Sequence, residues 1–286
     1  MKLIGMDHKV RAVVEAMSRQ QATLLYGPTG NGKTMIAWGA AEKYSAEKGI
    51  PIVYLQLYPE MTKNSLIGGE TIENGTIKVK EQAILTMGGV GHGAIFIVDE
   101  CTHTTEPVLL AFNSLIEAPY STVIGHKIHK LDEKTRFIFC GNSPDHAGNI
   151  HLPISFANRL FIVKTELPDK EVLCAIGKEI DSEFLPKARI PEKFIEFFTD
   201  IIIKTHEPSF PISPRNMILC VKAVKSLLGT GYEKVAKKES PPPAIDNICK
   251  ENNINSSMLK EAILSSMMAH VITKSQGPEK VAALLW

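Results

Sequence analysis

GPTGNGKT, residues Gly27–Thr34, is the stretch whose reading decides the fold. It fits the pattern G-x-x-x-x-G-K-[ST], a signature that needs a strand before it and a helix after it. Both are present: the apolar run ATLLY (Ala22–Tyr26) precedes the motif, and the helical run MIAWGAAEKYSAEK follows it. Gly27, Gly30 and Gly32, with Pro28, Thr29 and Asn31 between them, let backbone N–H groups curl around phosphate oxygens. The helix N-terminus adds its partial positive charge. In such a loop Lys33 reaches the β- and γ-phosphates of a nucleotide, and the Thr34 hydroxyl ligates Mg²⁺.

A second segment, AIFIVDE (Ala94–Glu100), reads as a buried strand delivering two acids at its C-terminal end. Sheets of this class place ligands at that end. Asp99 is expected to hold Mg²⁺ through water, and Glu100 to polarise an attacking water as general base. Two acids there favour hydrolysis over simple binding. No arginine-rich lid of a small-molecule kinase and no NKxD base-reading motif is found; Asn142-Ser143-Pro144 does not supply one.

Bulk properties set the frame. The chain has 286 residues, 44% of them apolar, enough for one sizeable α/β domain and a smaller companion. A net charge of +1 gives no global field toward nucleic acid or anionic lipid. Five cysteines without CxxC spacing suit a reduced intracellular protein. The N-terminus lacks the apolar core of a signal peptide, and FIEFFTDIII is broken by Glu196 and Asp200. A cytoplasmic protein with no membrane association is expected.

Strands are expected at Ala22–Tyr26, Pro51–Leu57, Ala94–Val98, Arg136–Cys140 and Leu160–Lys164, alternating with helices. This implies a parallel sheet covered on both faces. Helical periodicity then takes over in Asp169–Ile180, Pro191–Lys204, Ser213–Leu228 and Ser257–Thr273, with a stiff PPP break at Pro241–Pro243. The division expected is an α/β nucleotide-binding domain over residues 1–166 and a small all-α lid over 167–286 with a variable tail. Two β-hairpins interrupt the α/β pattern. SLIGGETIENGTIKVKE (Ser65–Glu81) turns at Glu73-Asn74-Gly75, and STVIGHKIHKL (Ser121–Leu131) turns around Gly125.

The order of further segments resembles AAA+ ATPases, specifically the MoxR-like group with its CbbQ, NirQ/NorQ and GvpN types. IGMDHKVRAVVEAM (Ile4–Met17) looks like the segment that packs on adenine, placing Ile4 and Gly5 at the base. FIFCGNSP (Phe137–Pro144) is similar to sensor 1, with Asn142 aligning water and γ-phosphate. LPISFANRLF (Leu152–Phe161) resembles the element bearing the arginine finger, here Arg159, which reaches a neighbouring subunit's ATP. Asn158 and Leu160 depart from the Asp and Phe common there. SPRNMI (Ser213–Ile218) looks like sensor 2, with Arg215 on the γ-phosphate. The resemblance implies ATP and Mg²⁺ as cofactors and a P-loop AAA+ fold with a helical lid. It also implies a hexameric ring and a protein client, with a von Willebrand A-type partner in some relatives. It places the first hairpin at the helix 2 insert and the second before sensor 1, as parts that act on the client.

Nine histidines form no HExxH or Cys₂His₂ pattern. Cys101-Thr102-His103 could suggest a thiol–imidazole pair, but no neighbouring motif supports nucleophilic catalysis. Lys234, Lys237 and Lys238 read as a solvated face. Two rival functions stay open. A nucleic-acid motor or loader is disfavoured by the near-neutral charge and the lack of an aromatic–basic strip. A nucleotide-gated scaffold with little turnover is disfavoured by Glu100, Asn142 and Arg159 together.

Overall fold

The computed structural model describes residues 4–143, 149–184, 190, 192–205 and 213–228. Pro144, His146, the PPP stretch, the lysines after Tyr232 and the expected helix Ser257–Thr273 lie outside them.

The chain opens with helix α1 (Asp7–Arg19), strand β1 (Ala22–Tyr26), helix α2 (Lys33–Lys48) and strand β2 (Ile52–Gln56). A short helix α3 (Lys63–Leu66) leads to a hairpin of β3 (Gly68–Glu73) and β4 (Thr76–Glu81). Then come α4 (Ala83–Gly88), β5 (Ile95–Asp99), α5 (Glu106–Ala111) and α6 (Asn113–Ile116). A second hairpin of β6 (Ser121–Ile124) and β7 (Lys127–Lys130) precedes β8 (Arg136–Gly141), α7 (Ile154–Ala157) and β9 (Phe161–Lys164). The remaining described elements are helices α8 (Lys170–Glu183), α9 (Glu192–Thr205) and α10 (Pro214–Leu228).

All five strands expected for the sheet are found. They form one parallel sheet in the order β2-β5-β8-β1-β9. Their ends shift by a residue or so. Pro51 has no N–H to give a ladder and contributes only its carbonyl, which accepts from Ile95 N–H at 2.8 Å. Leu160 is in the turn after α7, its N–H on Ala157 O at 3.1 Å.

Near-continuous apolar strands bury both faces. Alternate residues divide between two cores. Leu24, Phe96, Val98, Phe137 and Phe139 face one side. There Phe112 meets Phe139 edge-on at 5.0 Å between ring centroids, and Phe156 does the same at 5.1 Å. Leu25, Ile95, Ile97, Ile138 and Cys140 face the other side, against Val10, Val13 and Met17 of α1 and Ile36, Ala37 and Ala40 of α2. The small alanines bring α2 close to the sheet, so its N-terminus sits directly after β1.

The hairpins stand apart from this sheet as separate two-stranded ribbons. In the first, Asn74 and Gly75 both have left-handed φ, +52° and +74°. That is a type I′ turn, the one whose twist suits a tight hairpin. Cross-strand partners Ile72 and Ile77 are 75% and 65% exposed. In the second ribbon the partners Val123 and Ile128 are 58% and 68% exposed. The ribbons touch: the Glu70 carboxylate lies against Gly125, and His129 Nδ1 is 3.2 Å from Glu81 Oε1.

Chain contacts mark a second compact unit from Glu166 onward. Its described helices pack through Leu173, Gly177 and Ile180 of α8, Phe194, Phe198 and Ile202 of α9, and Met217 and Val221 of α10. A Lys170–Asp200 ion pair at 2.6 Å joins α8 to α9 at the surface. Among the described residues no helix is long and apolar enough to cross a membrane.

Candidate nucleotide-binding site

The loop of Gly27–Thr34 joins the C-terminal end of β1 to α2. Gly27 is required where it stands, because a Cβ there would lie 2.0 Å from the backbone oxygen of Thr165. Gly30 and Gly32 hold left-handed φ of +78° and +76°, which rolls Pro28, Thr29 and Asn31 through a tight turn. Gly32 caps α2 without a side chain, and the first turn of the helix carries no acid. The N-terminal amides are therefore left to an external anion.

Lys33 is buried and donates from Nζ to Gly27 O at 2.9 Å and Pro28 O at 2.6 Å, bracing the loop. Burial pulls its ammonium down to about 8, against the raising influence of Cys140, Glu100 and Asp99. The Cys140 thiol is itself pushed well up by burial, so the two carboxylates are the charges that keep Lys33 protonated.

Beside the loop, Thr34 Oγ1 donates to Asp99 Oδ2 at 2.9 Å. Asp99 Oδ1 accepts the backbone N–H of Glu100 at 2.9 Å. Glu100 adopts a left-handed φ of +54°, a conformation costing about 1–2 kcal/mol in a residue with a Cβ. Its Oε2 accepts Asn142 Nδ2–H at 2.9 Å. Asn142 follows β8, and its own backbone N–H donates to Thr102 Oγ1 at 2.9 Å. Adjacent parallel strands β5 and β8 thus bring Asp99, Glu100 and Asn142 together at one sheet end with Lys33 and Thr34. Cys101 is fully buried and burial raises its thiol, which counts against the thiol–imidazole pairing.

The other expected site residues come from other segments of the chain. Ile4 is half-buried ahead of α1, and Gly5 has φ +68°. Arg159 sits between α7 and β9, where Gln20 Nε2 donates to its carbonyl at 2.7 Å. That is the N-terminal end of β1. The loop is five residues further along, about 16 Å at ~3.3 Å per residue. Arg159 donates from Nε to Glu117 Oε2 at 2.5 Å and also bonds Ser155 O. Arg215 is exposed near the start of α10, in the second unit. There Ser213 N–H and Oγ donate to Asn216 Oδ1 at 3.0 and 2.9 Å, closing the first turn.

Two partners carry no sequence signal. Tyr54 on β2 places its hydroxyl 3.0 Å from Asp99 Oδ2, and Glu117 holds Arg159. Neither belongs to a motif; each is found only once distant strands and loops are placed.

Residues 22–158 match the family model of the AAA domain, dynein-related subfamily. With its five-stranded parallel order and loop-to-helix phosphate site, the outcome is plain. The α/β unit has the P-loop AAA+ fold. One solved structure shares this fold. NtrX from Brucella abortus aligns at a TM-score of 0.55 with 15% identity, over 99% of this chain and 69% of that one. A protein from Cytophaga hutchinsonii, an ATPase by assignment, aligns at a TM-score of 0.47 with 15% identity, over 98% and 90% of the two chains. For NtrX, at that identity, the likeness is one of fold. No curated protein matches the chain.

Proposed function

We propose that the protein is a Mg²⁺-dependent ATPase of the MoxR-like AAA+ group. It works as a ring, six subunits by resemblance, that remodels or activates a protein client in the cytoplasm. The observation that carries the reading is the paired arrangement at one sheet end. Thr34 is bonded to Asp99 and Asn142 to Glu100, beside a helix N-terminus open to an anion.

The donor set fits Mg²⁺. Thr34 and Asp99 offer hard oxygens, and Mg²⁺ takes one or two protein oxygens together with phosphate and water. Bound there, the ion would neutralise charge on the β- and γ-phosphates. The chain's own groups do the rest. The Thr34 hydroxyl spends its proton on Asp99, which leaves its lone pairs outward. Lys33 and the α2 amides receive the phosphates. Asn142 fixes one oxygen of Glu100, leaving the other to take a proton from the attacking water. In this reading Ile4 and Gly5 meet the adenine. Arg215 keeps the sensor 2 role, and a von Willebrand A-type partner remains an option, both by resemblance alone.

Purified protein is expected to release phosphate from ATP with Mg²⁺, to lose that activity in EDTA, and to regain it with added Mg²⁺. Turnover that persists in EDTA counts against the reading. The touching ribbons, with exposed Ile72, Ile77, Val123 and Ile128, support use of the cycle on a protein. Shortening residues 70–79 to a tight turn, which spares the buried Leu66 and Ile67, should leave basal hydrolysis within about twofold and should abolish client activation. Loss of nucleotide binding in that variant would make the ribbon structural instead.

A further inference from the structure

Asp99 has a second side-chain donor that no motif assigns. Tyr54 lies on β2, the edge strand next to β5, and its hydroxyl donates to Asp99 Oδ2 at 3.0 Å. The Thr34 hydroxyl uses the same oxygen at 2.9 Å. An ionised carboxylate has about four acceptor positions. Thr34 and Tyr54 fill both positions on Oδ2, and the Glu100 N–H fills one on Oδ1. Among the described contacts, one position on Oδ1 is left for a metal-bound water.

The phenol is held to this task from the side. Trp38 stacks on the Tyr54 ring at 6.2 Å between centroids and 17° between planes. Trp38 follows Thr34 by four residues on α2, so it stands one turn along the same face. One helix face therefore carries both the hydroxyl that bonds Asp99 and the wall that orients Tyr54.

We infer that Tyr54 is a positioning residue for the divalent cation, orienting Asp99 so that its one remaining acceptor position meets the ion's water shell. The inference rests on the Mg²⁺-dependent ATPase reading. Among the described contacts Tyr54 bonds neither Lys33 of the phosphate loop nor the Glu100–Asn142 pair, so its effect is expected on metal affinity.

The test uses Mn²⁺ as the probe, with ADP present, and follows free Mn²⁺ by electron paramagnetic resonance on the full chain. Tyr54→Phe keeps the ring and the stack but removes the bond. It should raise the Mn²⁺ half-saturation about tenfold, the loss of one bond to a charged acceptor. ADP affinity in EDTA and the unfolding temperature should stay as in wild type. Trp38→Leu removes the wall but no bond and should raise the half-saturation about threefold, since the unstacked ring must be reordered. The sequence has two tryptophans, so in a Trp286→Phe background Trp38 emission reports whether the stack survives Tyr54→Phe. An unchanged Mn²⁺ half-saturation overturns the inference. So does a tighter one, which would mean that the phenol competes with the ion's water. Loss of ADP affinity in EDTA would make Tyr54 a general structural residue and overturns it too. A wild-type protein that binds neither ADP nor Mn²⁺ would instead sink the ATPase reading itself.

Discussion

Glu100→Gln is expected to lower kcat about 10²–10⁴-fold while ATP affinity stays within a few-fold of wild type. The change is nearly isosteric, and a glutamine oxygen still accepts the Asn142 amide that now bonds Glu100 at 2.9 Å. Thr34, Asp99 and Lys33 are untouched, so the phosphate cradle keeps its shape. What disappears is the ability to take a proton from water. Single-turnover hydrolysis against equilibrium nucleotide binding separates the two effects. Equal rates in wild type and variant would favour a nucleotide-gated scaffold, in which binding matters and turnover does not.

Arg159→Ala should cost about 10³-fold in kcat, the low end for an arginine finger. A mixture with Glu100→Gln, each inactive alone, should recover activity. The reasoning is geometric. Arg159 lies at the opposite end of β1 from its own phosphate loop, about 16 Å away, too far for the side chain to reach. If it acts, it acts on another copy. In a randomly mixed ring about a quarter of interfaces join an intact Glu100 to an intact Arg159. Hydrolysis should approach that share of wild type. A mixture no more active than its parts removes the trans role.

The sheet was legible because its strands are short apolar runs, buried on both faces, spaced by helices. Ala22–Tyr26 was read to the residue. The ribbons were legible from Asn74-Gly75 and Gly125, where turn chemistry is local. The phosphate loop was legible for the same reason: its glycines and Lys33 sit within eight consecutive residues. What escaped depends on pairing across the sheet. The bond from Tyr54 to Asp99 needs β2 beside β5, which no local pattern announces. The left-handed φ of Glu100 belongs to the abrupt turn after β5, with the next backbone N–H, that of Cys101, bound to Cys140 O at 2.9 Å. The short helices α3 to α7 are too brief to show a helical period. Glu117, at the end of α6, becomes the partner of Arg159 only through the fold.

The Arg159–Glu117 pair bears on how a ring would come together. Their side chains are 30% and 57% exposed, and ion pairs so open to water contribute at most about 1 kcal/mol. Releasing the guanidinium therefore costs little, and a polyphosphate on a neighbour offers it more charge than one carboxylate does. In such a ring, assembly and nucleotide occupancy would be linked quantities: whatever ATP added to the subunit contact, the contact would return as tighter ATP binding. A ring built on such an exchange would be a reversible, ligand-stabilised association, tightening and loosening as each γ-phosphate arrives and leaves.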